Sequence, residues 1–76
     1  MKDLILYIAQ NLVDKPDEVS VTEIEGDDGV VYELRVAPGD MGKVIGRQGR
    51  IAREIRAVVR SVAQRTGRKV SVDIVD

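Results

Sequence analysis

The chain has 76 residues, 43% of them hydrophobic, a formal net charge of −1, and no cysteine or histidine. This excludes a disulfide or a Cys/His-bound metal as the staple of so small a domain, and it removes the usual imidazole bases and thiol nucleophiles of an enzyme. What remains is one domain over residues 1–76, held by a compact aliphatic core, of a size that often gains from oligomerisation.

Residues 3–13 predict a first helix. Asp3 can cap its start, and Leu4, Ile8 and Leu12 recur at helical spacing beside Ile5, Ala9 and Val13. The opening "MKDLILYIAQNL" carries an acid at position 3 and no small-residue cleavage site, so it does not read as a signal peptide. No stretch approaches the ~20 apolar residues of a membrane span, and a cytoplasmic protein is expected. "DKPDE" ends the helix at Pro16. Residues 18–25 and 30–37 then predict two strands joined by "GDDG" at 26–29. Val30, Tyr32, Leu34 and Val36 share one face of the second strand, with Glu33 and Arg35 on the other. In the first strand Val19 and Val21 share a face but Ile24 falls opposite, which predicts a bulge or an edge.

Pro38-Gly39-Asp40 closes the hairpin and leads into a short helical segment, "MGKVI". The loop "GRQG" follows, then a long helix from about Arg50 to Thr66 with Gly67 as its stop, and residues 69–75 alternate as a third strand. The order α-β-β-α-α-β predicts an α+β fold, a three-stranded sheet with helices packed on one face.

Charge divides the chain. Residues 1–40 hold ten acids and three bases, while residues 41–76 hold nine bases and three acids. A ligand responds to the local field, so a pI of 5.4 does not argue against a polyanionic partner for the second half. In the last helix Ile51, Ile55, Val58 and Val62 cluster in one arc, and Arg50, Arg53, Arg56 and Arg60 lie roughly opposite. Such a row is ordinarily a solvated face. Here Glu54 is the one acid among the arginines, and the row begins beside the glycine-rich loop, so loop and row are read as one candidate surface.

Gly46 and Gly49 flank Arg47 and Gln48 at the junction of two helical segments. Glycine permits positive φ and close approach of another backbone. A tight interhelical turn also exposes amides beside the positive end of the next helix, which suits phosphate, with Lys43, Arg47 and Arg50 adding charge. A bare G-x-x-G also fits a plain corner between helices. The setting sharpens it, because Val44-Ile45 before the first glycine and Ile51 and Ile55 after the second anchor both flanks.

"VIGRQGRIAREI" within this element order resembles a KH domain of the type II arrangement, and a single such unit opening with a helix and "LVDKPDEVSV" resembles the KhpA family of small bacterial RNA-binding proteins. The resemblance covers essentially the whole chain. It implies that Gly46, Arg47, Gln48 and Gly49 clamp the backbone of single-stranded RNA, with Val44 and Ile45 at the start of a base groove helped by Leu34 and Val36. Lys43, Arg50 and Arg53 complete the expected nucleic-acid-binding set. It also implies a homodimer, or a heterodimer with a larger Jag-type KH protein, in the role of a post-transcriptional regulator or RNA chaperone. The alternative is a KH-fold interaction module that works chiefly by dimerising.

With only Tyr7 and Tyr32 as aromatics, base stacking is largely absent, which predicts weak, salt-sensitive and unselective binding by one protomer. No membrane contact, cofactor, metal or small-molecule substrate is expected. An enzyme is disfavoured: Ser20, Ser61 and Ser71 lack any motif context, and the loop is not the G-x-x-x-x-G-K-[ST] phosphate loop.

Overall fold

The computed structural model describes residues 1–75. Three helices, α1 (Lys2–Gln10), α2 (Met41–Ile45) and α3 (Arg50–Ala63), and three strands, β1 (Ser20–Glu25), β2 (Gly29–Arg35) and β3 (Lys69–Val75), follow one another as α-β-β-α-α-β. Short 3-10 turns at Pro16–Glu18, Pro38–Asp40 and Arg47–Gly49 lead into β1, α2 and α3 respectively. The sheet is mixed, in the order β1-β2-β3. β1 pairs antiparallel with β2, and β3 pairs parallel to β2 across the α2–α3 connection.

The alternation read from β2 holds. Val30, Tyr32, Leu34 and Val36 are buried beneath the helices, joined by Val21 from β1 and Val72 from β3. The other face carries Thr22, Ile24, Glu33, Arg35, Ser71 and Asp73 and is largely open to solvent. β1 is an edge strand with an unbroken register from Ser20↔Arg35 to Glu25↔Val30, so the expected edge is present and the alternative bulge is not. Ile24 lies opposite Val31 on the open face and stays exposed. An edge strand tolerates this without breaking its ladder.

Three helix boundaries and the buried face of α3 differ from expectation. α1 begins two residues earlier than a cap at Asp3 would place it: Met1 occupies the N-cap position, and Asp3 sits in the first turn, where its charge still suits the helix dipole. The helix ends at Gln10, where the Asn11 side-chain amide donates to the Tyr7 carbonyl at 2.8 Å. Leu12 and Val13 continue onto the core as a turn. Its buried pair is Ile5 and Ala9, with Ile8 and Leu12 half-buried alongside.

In α3 the buried residues are Ala52, Ile55, Val59 and Ala63. Val58 and Val62, assigned to the core by their hydrophobicity, are 45% and 41% exposed. The helix is turned toward its arginines because alanines let it approach the sheet closely, and close approach gains more packing than the bulk of two valines can. The helix also stops at Ala63 rather than Thr66. The Thr66 hydroxyl donates back to the Ala63 carbonyl at 2.8 Å.

Candidate nucleic-acid interface

The two helices around the loop are anchored from beneath. Val44 of α2 is wholly buried, Ile55 of α3 nearly so, and Ile51 half-buried between them. The chain must therefore reverse within four residues, and its backbone shows how. The Gly46 amide closes α2 on the Gly42 carbonyl at 2.9 Å, after which Gly46 takes φ 77°, ψ 175°, a region essentially reserved for glycine. Gln48 (φ 57°, ψ 26°) and Gly49 (φ 74°, ψ 14°) are both left-handed. The Gly49 amide donates to the Gly46 carbonyl at 3.1 Å. Arg47 and Gln48, the first two residues of this turn, have no carbonyl within it to donate to.

Gly46 is needed on a second count. A β-carbon there would stand 2.6 Å from the Ile51 side chain, whereas one at Gly49 would meet nothing within 4 Å. A non-glycine residue in the left-handed region is uncommon, and such outliers concentrate at ligand-binding sites. Gln48 is held there by Arg53, whose guanidinium donates to the Gln48 carbonyl at 3.3 Å.

The expected site residues do not all come together. Gly46, Arg47, Gln48, Gly49 and Arg50 form one continuous surface, with the Arg47, Gln48 and Arg50 side chains exposed. Arg47 and Arg50 enter no ion pair among the described residues. Arg53 reaches the loop from α3, and Ile45, 36% exposed, is its apolar neighbour.

Val44, with Leu34 and Val36, lies inside the core and has no surface to offer a base, which corrects its place in the groove: it anchors α2. The arginine row is also divided. Arg56 Nε donates to the Val72 carbonyl at 3.0 Å, and Arg56 and Arg60 lie over β3 rather than beside the loop.

Lys43 is engaged by two acids, at 3.1 Å from Asp14 and 3.8 Å from Asp40. Hydrogen bonding to Asp14 and its charge raise the Lys43 ammonium above the ordinary lysine value. Asp40 is the one buried charged residue among those described, and its carboxylate accepts the backbone N–H groups of Asp14 at 3.3 Å and Lys15 at 3.0 Å. Sequence spacing gave no signal of this contact, since its partners lie 25 and 26 positions apart.

A concavity of about 780 Å³ lies at the far end of α3 from the loop, lined among others by Ile24, Val31, Arg60 and Ala63. No helix among the described residues is long and apolar enough to cross a membrane.

A mixed three-stranded sheet covered on one face by α1 and by two helices joined through G-x-x-G defines a KH domain in the type II arrangement. The chain belongs to the KhpA/KhpB KH-domain family, whose model matches residues 2–74. It is 52% identical over 75 residues to the RNA-binding protein KhpA of Clostridium perfringens, covering 99% of this chain and all of that one. The KhpA proteins of Chlamydia trachomatis and Aquifex aeolicus are 49% and 47% identical over 76 residues, each covering all of this chain and 97% and 96% of their own. A crystal structure of an Era variant from Aquifex aeolicus, with GDP and aluminium fluoride bound, matches 96% of this chain and 28% of its own with a TM-score of 0.65. At 22% identity that likeness shows the fold alone.

Proposed function

We propose that this protein binds single-stranded RNA without chemistry of its own, gripping the phosphate backbone at Gly46-Arg47-Gln48-Gly49. The reading rests chiefly on one observation: an exposed, glycine-dependent turn between anchored helices, flanked by Arg47 and Arg50 with no acid paired to them among the described residues. Amides and guanidinium groups together suit a phosphodiester. Relatives at about half identity over their full length are named RNA-binding proteins, which supports the same class of ligand. Ile45 offers an apolar surface for a base, and with so few aromatics the affinity of one protomer is low.

Fluorescence anisotropy of a labelled single-stranded RNA at two salt concentrations tests this. Wild type is compared with the double variant Arg47→Asp, Gln48→Asp, after circular dichroism confirms that both are folded. Binding by the wild type and its loss in the folded variant support the clamp. Equal binding by both would sink it and leave only diffuse attraction to the arginines of α3.

A second reading concerns assembly. Val58 and Val62, one turn apart on α3, present an exposed aliphatic strip that supports self-association, or pairing with a larger Jag-type KH protein. Two loops on one RNA would recover affinity through effective concentration, as a regulator or chaperone of cytoplasmic RNA requires. Sedimentation velocity of wild type and Val62→Asp decides the self-association: a dimer lost in the variant supports it, and a wild-type monomer at all concentrations overturns it.

A further inference from the structure

Lys43 stands on α2, less than one helical turn before Gly46, and its flexible four-carbon stem can carry the ammonium either to a phosphate on the loop or to a neighbouring acid. In the free protein it has gone to the acids. The two differ in kind. Asp40 is buried, and both of its carboxylate oxygens accept backbone N–H groups, so it belongs to the joint between the α1–β1 connection and α2. Asp14 has a side chain 76% exposed, lies closer to the ammonium, and can swing away without exposing anything buried.

We infer that Asp14 is a built-in competitor for RNA: its carboxylate occupies Lys43 in the free protein, and an RNA phosphate must displace it to recruit that cation to the clamp. An exposed ion pair in water is weak enough to be exchanged for another anion. Affinity is thereby held below what the loop's surroundings could reach, and the carboxylate is at hand to reclaim Lys43 when RNA leaves. This rests on the RNA-binding reading above and adds to it a residue that lowers affinity.

The test uses the full chain, labelled single-stranded RNA, the Arg47→Asp, Gln48→Asp variant above and four more. Asp14→Asn removes the competitor with almost no change of shape. Asp17→Asn removes another exposed acid of the same segment that pairs with no base among the described residues. Lys43→Gln, alone and combined with Asp14→Asn, completes the cycle.

Asp14→Asn is expected to tighten binding about two- to five-fold at low salt and to steepen the log–log salt dependence by about 0.7, the share of one further phosphate contact on a single strand. Asp17→Asn is expected to match wild type, and Lys43→Gln to abolish the gain from Asp14→Asn. The inference is overturned if wild type binds, the Arg47→Asp, Gln48→Asp variant does not, and Asp14→Asn equals wild type. It is equally overturned if Asp17→Asn tightens binding as much, because net charge then explains the effect, or if the gain survives without Lys43. Absence of RNA binding by wild type and every variant would instead remove the RNA-binding reading itself.

Discussion

At the scale of single residues, the two loop glycines are not equivalent. Gly46 combines a φ/ψ pair closed to other residues with a side-chain wall 2.6 Å from where a β-carbon would stand. Gly49 has only its positive φ to protect. Gly46→Ala should therefore cost about 3 kcal/mol of stability and Gly49→Ala about 1 kcal/mol, read from urea denaturation midpoints. Equal losses would mean that Ile51 yields freely. Tyr32 contributes to the pH dependence on the alkaline side. Burial, and then its hydrogen bond and proximity to Glu23, raise its hydroxyl above the ordinary 10.0. As the pH climbs past that value the unfolded chain gives up its proton first, so stability falls with rising pH. The raised Lys43 acts in the same direction from its ordinary 10.5. Between pH 8 and pH 11 the denaturation midpoint of Tyr32→Phe should fall less than that of wild type.

At the scale of elements, sequence reading succeeded where period and punctuation were strong. The six elements, the β2 face and the G-x-x-G junction follow from alternation, Pro16, Pro38 and the placement of glycines. The buried face of α3 did not follow, since hydrophobicity favours Val58 and Val62 over Ala52 and Ala63, and only the nearness of the sheet reverses that order. Val59→Ala should thus cost about 2 kcal/mol, whereas Val58→Ala should stay within about 0.5 kcal/mol, again by urea denaturation. The tie between Asp40 and the 14–15 backbone was illegible for a different reason: it joins segments far apart in sequence through atoms that every residue possesses. Arg56 also belongs to this scale. It fills a carbonyl of the edge strand β3, and an unfilled edge invites another strand. Arg56→Ala should leave RNA affinity nearly unchanged at low salt while increasing light scattering on prolonged incubation.

At the scale of the whole molecule, acidic and basic halves fold into one body instead of two. β2 from the first half lies between β1 and β3, and Arg68 reaches across to Glu25 at 3.1 Å. Bound RNA should therefore meet a local field at the loop, with a salt slope near −3 for about four nucleotides and one shallower by about 0.7 in Arg47→Gln. A slope near zero in the anisotropy titration would contradict this. The parallel pairing of β2 with β3 has a consequence of another sort. It joins residues 40 positions apart, Gly29 with Lys69, and the G-x-x-G turn lies within the segment that must be closed to bring them together. Closing so long a segment is slow and goes unrewarded until the ladder forms, whereas the β1–β2 hairpin closes locally. The G-x-x-G turn thus sits in the stretch that this pairing has to close, and substitutions there should also be visible as altered refolding rates in stopped-flow experiments.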